Sequence, residues 1–370
     1  MTVAARQYGP AVLMTADAVG GVWSYAATLC AALPGIRFVL AVTGPPPGNS
    51  RRKSIEQLGN VTLELGPYLL EWMEGAAAEL APSRDWLARL ARHRSVDLIH
   101  VNGYAHAALD VGVPVLAVAH SDVLSWWAAV HRGPAPARWE TYRQEVVTGL
   151  HAADRIVAPT GAVRGDLQQH YGIDPRRIEI IPNGIDLNAH APRPKRPVIL
   201  AAGRVWDQAK NLVLLDGIAP DLAWPIEIAG DARHPESGTT DLPRVRLLGR
   251  LGAAAMARHL GEAAIFAAPA RYEPFGLGIL EAAAAGCALV LGDIASLREN
   301  WDGAALFADP DDREAWRASL SLLIANESAR DRLAKAARER AERFTAVGMA
   351  ERYAALYRDL VRQPAGRAAT

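Results

Sequence analysis

The chain has 370 residues, half of them hydrophobic and 22% charged, with Lys plus Arg and Asp plus Glu at 40 each. That length exceeds what one compact core usually holds, so two domains are expected. Balanced charge gives no global field toward nucleic acid, and no uncharged run reaches the ~20 residues of a membrane span, so neither class is supported.

Cys30 and Cys287 lie in apolar helical contexts without disulfide or metal-ligand spacing, and read as buried small hydrophobes of a reducing compartment. The N-terminal "MTVAARQYGP" lacks the apolar core of a signal peptide, so the chain reads as soluble and cytoplasmic. The basic cluster Arg51–Lys53 reads as a solvated loop and leaves a peripheral membrane contact open. The oligomeric state is not legible.

In chain order, strands are expected at Ala11–Ala16, Arg37–Thr43, Val61–Leu65, Asp97–Asn102, Pro114–His120, Arg155–Thr160 and Glu179–Pro182. Helix-length segments lie between them at Gly21–Leu33, Arg84–Arg94, Ala137–Leu150 and Gly161–Tyr171. Near-continuous apolar strands alternating with helices imply parallel sheets covered on both faces. The Pro-rich, aperiodic stretch Asn183–Pro197 reads as a linker. Alternation then restarts with strands at Val198–Gly203, Ile226–Gly230, Val245–Gly249, Ala264–Pro269, Ala288–Asp293 and Ala304–Ala308. Helices close the chain near Asp312–Ala325, Ser328–Phe344 and Val347–Arg362, and the tail "RQPAGRAAT" is expected to be disordered. The division predicted is 1–187, 188–345, and 346–370 as a C-terminal helix free to pack back on the first domain, plus tail. Both domains are expected to be doubly wound and Rossmann-like.

Ligands of parallel α/β sheets bind beyond the carboxyl ends of strands. Four chemically rich segments fall there: "TADAVGGVWSYA" with Gly20 and Gly21, "HSD" with His120, "GRVWDQAK" with Arg204 and Lys210, and "RYEPFGLGILE" with Glu273 and Glu281. The last two suit a diphosphate. Arg204 offers a two-pronged fork, Lys210 a point charge, and the amides of Phe275, Gly276 and Leu277 the positive end of a helix. Glycine at a helix start costs about 1 kcal/mol relative to alanine, which close approach of a phosphate to the backbone would offset. Glu281, about one and a half turns further in, is placed to accept from hydroxyls such as those of a ribose. Glu273, ahead of the helix, would face what hangs from the far phosphate. Taken singly, a glutamate in a first turn also complements a helix dipole, and Arg204 also suits a surface carboxylate. His120 closes a buried strand and reads as functional, whereas His100 reads as a core histidine. Among the aromatics Trp126, Trp127, Trp139 and Tyr142, helix packing competes with a stacking surface for an acceptor, for which Trp126 and Trp127 are the candidates.

The stretch "EPFGLGILEAAAAGCALVLGDIASLRENWDGAALFADPDD" closely resembles the signature of retaining glycosyltransferases of family 4, which have the GT-B fold. The resemblance extends to "VGGVWSYAATLCAAL", "AVAHSD", "IIPNGID" and "GRVWDQAKNL", and so over nearly the whole chain. It implies two Rossmann-like domains facing an interdomain cleft. It also implies a nucleotide-sugar donor whose diphosphate is held by Arg204, Lys210 and the Phe275–Leu277 amides. Glu281 would take the ribose hydroxyls, Arg250 and Leu251 the base, and Glu273 and His120 the donor sugar; Gly20 and Gly21 would let the first domain approach the phosphates. The Arg204–Lys210 interval is one residue longer than the family spacing, and Trp206 and Asp207 stand where small residues or proline are usual.

The expected activity is metal-independent hexose transfer from a UDP-sugar to an unidentified acceptor, with no cofactor, since no Asp-x-Asp clamp closes a strand. The competing readings are a sugar-nucleotide epimerase or hydrolase on the same scaffold, and a non-catalytic nucleotide-sugar binding protein. A nicotinamide dehydrogenase is disfavoured because no G-x-G-x-x-G follows the first strand.

Overall fold

The computed structural model describes residues 9–234 and 238–362. Residues 363–370 of the expected tail, and most of the N-terminal segment read for a leader, lie outside the described residues. The chain divides into two compact units. One contains the chain up to Ser125, Pro134–Gly184 and the segment from Ala346 onward; the other contains Trp126–Gly133 and Ile185–Thr345.

The first unit is built on seven parallel strands: β1 (Ala11–Asp17), β2 (Arg37–Thr43), β3 (Val61–Leu65), β4 (Leu98–Val101), β5 (Val115–Val118), β6 (Arg155–Ala158) and β7 (Ile178–Ile180). Their order is β3-β2-β1-β4-β5-β6-β7, so the direction of winding reverses between β1 and β4. Alternate residues feed two cores. Leu13, Val39 and Ile99 pack on one face, Val12, Met14, Phe38 and Leu40 on the other. Burial of both faces is why these strands read as unbroken apolar runs rather than alternating ones.

The covering helices are α1 (Val22–Ala32), α2 (Asn49–Glu56), α3 (Leu80–His93), α4 (Val123–His131), α5 (Glu140–Ala152) and α6 (Gly161–Tyr171), with α4 continuing into Trp126–Gly133. The loop expected at Arg51–Lys53 is instead helix α2. Only Ile55 of that helix is buried, so it carries no apolar periodicity to read, and the Arg51 guanidinium donates to the Ala18 carbonyl. Helix α4 is also new. Its sequence "VLSWWAAVH" is apolar all round and shows no period.

The second unit has β8 (Arg196–Ala202), β9 (Ile226–Ala229), the antiparallel pair β10 (Arg233–His234) and β11 (Gly238–Thr239), β12 (Arg246–Gly249), β13 (Ala263–Ala268), β14 (Ala288–Gly292) and β15 (Leu306–Ala308). Its main sheet is parallel with order β12-β9-β8-β13-β14-β15, reversing between β8 and β13. Around it lie α7 (Val213–Ile218), α8 (Ala253–Glu262), α9 (Leu277–Ala284), α10 (Ala295–Trp301), α11 (Arg313–Ala325) and α12 (Glu327–Ala341). The expected linker is more structured than its composition suggests, because Ile185 pairs with Thr345 and β8 already starts at Arg196.

Helix α13 (Ala346–Arg362) returns to the first unit. Met349, Tyr353, Leu356, Tyr357 and Leu360 form one buried stripe at helical spacing, packed in the same core as Trp23, Tyr25 and Leu29 of α1. Among the described residues no helix is long and apolar enough to cross a membrane.

Candidate functional site

In the second unit the chemically rich segments gather where the strand order reverses, the place a doubly wound sheet offers a ligand. The segment after β8 and the segment after β13 are tied together. The Arg271 amide donates to the Ala209 carbonyl at 2.8 Å, and the Arg271 side chain reaches the Gln208 carbonyl and Asp311. Gly230, at the end of β9, sits so close to Gly203 that a Cβ would lie 1.7 Å from the Gly203 carbonyl oxygen. Gly230→Ala is therefore expected to push the Gly203 segment aside and to lower unfolding stability by about 1–2 kcal/mol, measured by urea titration.

Arg204 is held from two sides. Its guanidinium donates to Asp207 Oδ2 at 2.6 and 3.2 Å and lies 5.3 Å from the centre of the Trp206 ring. Asp207 is buried at 5% exposure and also accepts from the Ala209 amide and the Trp126 indole N–H. Burial alone would raise its carboxyl; the Arg204 and Lys210 charges and the hydrogen bonds from Arg204 and Ala209 outweigh that and hold it below the usual carboxylate range. Lys210 donates to Glu273 Oε2 at 2.5 Å. Both cations assigned to a diphosphate thus carry a carboxylate partner, and Trp206 and Asp207, the residues that stand where small residues or proline are usual, are the ones that contact Arg204.

Beyond Glu273, whose carbonyl accepts from Ser296, Gly276 caps α9 with φ +89°, a left-handed conformation suited to glycine. Among the described residues no side chain caps this helix, so its first-turn amides point out unshielded by a side-chain acceptor. Gly276 and Leu277 stand at that end. Phe275 lies one residue ahead, with its ring 5.5 Å from that of Phe344 and its carbonyl taking Asn300.

Glu281 lies one turn into α9 with a half-buried side chain. Among the described residues no donor reaches its carboxyl, and burial pushes its pKa up to about 7. Arg250 and Leu251 follow edge strand β12, Arg250 exposed and Leu251 half-buried, and the structure brings neither into an ion pair with the residues above. Trp126 and Trp127 of α4 pack on His131, with Trp127 4.2 Å from it centre to centre. Tyr142, by contrast, belongs to the core of the first unit with Trp139 against it.

In the first unit, Asp17 ends β1 and its carboxylate accepts from the Val19 and Gly20 amides, holding the Gly20–Gly21 turn from which α1 starts. His120 follows β5. Its Nε2 lies 2.8 Å from Asn102 Oδ1, and its ring meets the edge of Tyr25 with centres 4.6 Å apart. Burial pushes its pKa down to about 4, so the imidazole is neutral at pH 7. His100 is fully buried, as its place inside a strand suggests. Asn102 and the contact of Asp207 with Trp126 escape a reading of the sequence, because each depends on a partner that only the folded chain supplies, whereas Asp17 bonds amides two and three residues on. Among the described residues no three His, Cys, Asp or Glu side chains are grouped to hold a metal ion.

Comparison with known proteins bears on this arrangement. Residues 19–189 match the model of Glycosyltransferase Family 4, and residues 196–326 that of Glycosyl transferases group 1. A D-inositol 3-phosphate glycosyltransferase of Kineococcus radiotolerans is 29% identical over 361 residues, covering 81% of this chain and 80% of that protein. An alpha-maltose-1-phosphate synthase of Mycobacterium tuberculosis is 26% identical over 397 residues, covering 95% and 97%. Among solved structures, Anabaena Alr3699/HepE in complex with UDP and glucose superposes with a TM-score of 0.76 at 17% identity, covering 95% of this chain and all of that one.

Proposed function

Since the chain belongs to the glycosyltransferases of family 4 and has their GT-B fold, we propose that it moves a hexose from a UDP-sugar to an acceptor hydroxyl, with retained anomeric configuration and without a metal ion. The observation that carries the donor reading is Glu281. A carboxyl that is desolvated, lacks any donor among the described residues and sits just inside an uncapped helix end is an acceptor awaiting hydroxyls. A ribose supplies two, and the diphosphate attached to it would then lie over the α9 amides with Arg204 and Lys210. Arg250 and Leu251 would flank the base. The Anabaena neighbour, bound to UDP and glucose, supports the choice of uridine.

In this reading the bond from the sugar anomeric carbon to the diphosphate oxygen breaks as the acceptor oxygen attacks from the same face. The acceptor proton passes to the departing phosphate oxygen. Arg204, Lys210 and the α9 amides stabilise the charge that develops there, the part a cation would otherwise play. In this reading Glu273, whose carboxylate accepts from Lys210 at 2.5 Å, serves not as a nucleophile but as a holder of sugar hydroxyls.

Arg204→Ala should weaken UDP binding by about 1.5–2 kcal/mol, the lower range for a charged hydrogen bond because the side chain is 37% exposed and screened. Titration calorimetry showing unchanged UDP affinity in a folded variant would remove Arg204 from the site. Release of UDP from UDP-glucose should survive excess EDTA, measured with and without phosphorylated polyols and sugars of the kind named in the relatives. Loss on chelation with recovery by magnesium or manganese would refute the metal-free account. Conversion of the donor without an acceptor would point to an epimerase, and binding without turnover to a sensor.

A further inference from the structure

Asn102 lies just past β4, and its backbone amide, Nδ2 and Oδ1 are all engaged. Its backbone amide donates to Thr15 Oγ1 at 2.8 Å, and its Nδ2 donates to the Thr15 carbonyl oxygen at 2.7 Å. A carbonyl oxygen bears no proton, so the amide atom facing it must be the nitrogen. The other atom is therefore Oδ1, which faces His120 Nε2 at 2.8 Å and His100 Nε2 at 3.1 Å. An amide oxygen only accepts, so both Nε2 atoms carry their protons. The opposite tautomer of His120 would set two lone pairs against each other at 2.8 Å. In a neutral imidazole the remaining nitrogen is bare. For His100 that nitrogen, Nδ1, lies 2.6 Å from the Tyr357 hydroxyl, which must donate to it. For His120, Nδ1 has no hydrogen-bond partner among the described residues, and the side chain is half-buried rather than sealed.

From this geometry we propose that Asn102 is a positioning residue that fixes His120 as the Nε2–H tautomer, presenting Nδ1 as a pure acceptor for a substrate hydroxyl. One backbone carbonyl, that of Thr15, sets the direction of every hydrogen bond from Tyr357 to His120. The proposal rests on the reading above that His120 meets the donor sugar. Burial keeps His120 neutral, and the groups facing it do not oppose that. They are Tyr25 from α1, His100 from β4 and Asn102 just past β4, with Tyr353 and Tyr357 of α13 packed on His100 behind them. None carries a negative charge near pH 7, and burial alone already pushes His120 down to about 4. A neutral imidazole with a bare Nδ1 is thus kept across the physiological range.

The test is a long-range 1H–15N spectrum of the full chain labelled at histidine, with His120→Gln to assign the signals. At pH 7 the wild type should show a protonated Nε2 and an unprotonated Nδ1 for His120, a result that needs no variant to fold. Asn102→Ala should lose the preference for that tautomer and lower kcat with UDP-glucose about tenfold, the scale of one neutral hydrogen bond, with UDP affinity unchanged. Asn102→Asp places a carboxylate against the ring and raises the His120 pKa. Its kcat should fall as pH is lowered from 8 to 5, while the wild-type kcat shows no such step from His120. An Nδ1–H signal in the wild type, an unchanged tautomer in Asn102→Ala, or identical pH profiles would overturn the proposal. The spectra read the proton without turnover. If they come out as expected while neither UDP- nor GDP-linked sugars react, the reaction assigned above fails and the tautomer assignment stands.

Discussion

Glu281→Gln should melt at a higher temperature than the wild type at pH 8, yet bind UDP more weakly. Burial raises the Glu281 carboxyl from an ordinary 4.5 to about 7. Between those values the folded chain holds a proton that the unfolded chain has released. Stability contributed through this group is therefore whole below about pH 4.5, declines as pH rises, and is fully lost above about pH 7. One pKa unit corresponds to about 1.4 kcal/mol, so the wild type gives up roughly 1–3 kcal/mol at pH 8 once partial exposure is allowed for. Glutamine has the same shape and no charge to desolvate. Urea titrations should thus place the variant above the wild type by that amount at pH 8 and level with it at pH 4. The same substitution removes a charged acceptor for hydroxyls, which should weaken UDP by about 1–3 kcal/mol. Saturating UDP, which stabilises whichever protein binds it by mass action, should then narrow or invert the ranking. A variant that is less stable at both pH values would show Glu281 to be a packing residue.

Glu281 also marks what a sequence makes legible. The alternation of apolar runs with helices gave away both sheets, because a parallel strand buried on two faces has no polar positions to interrupt it, as Ala11–Asp17 and Ala288–Gly292 illustrate. Helix α9 was readable from Gly276, whose φ of +89° explains a glycine at the cap. Helices α2 and α4 were not readable, one being too polar and the other too apolar to display a period. What escaped at the site is pairing. Nothing in "GRVWDQAK" says that Asp207 turns back onto Arg204, or that Lys210 reaches across to Glu273 after β13. Nor does "DLIHVN" reveal that its last residue meets His120, which depends on β4 and β5 lying side by side. The last two contacts follow from strand order, and strand order is a property of the fold.

The Lys210–Glu273 pair changes what removing Glu273 should do. Its carboxylate lies 2.5 Å from the ammonium, with side-chain exposures of 23% and 18%, so the attraction is partly shielded from water. A bound diphosphate has to share Lys210 with this carboxylate. Glu273→Gln keeps the shape, removes the competing charge and frees Lys210 for phosphate. UDP affinity should therefore be retained or rise several-fold, the reverse of Glu281→Gln. The reacting sugar is a different matter. Hydroxyl contacts that strengthen as positive charge develops on the sugar act mainly in the transition state, so their loss appears in kcat and not in the binding of UDP. A fall in kcat of about 100-fold is expected, in the range for removing one electrostatic stabiliser from a desolvated site. Lys210→Met supplies the contrast, since it should weaken UDP and lower kcat together. The measurements are UDP calorimetry and steady-state kinetics on all three proteins. Loss of UDP binding in Glu273→Gln alongside normal binding in Glu281→Gln would mean that the ligand runs along α9 in the opposite direction, with its nucleoside toward Glu273 and its sugar toward Glu281.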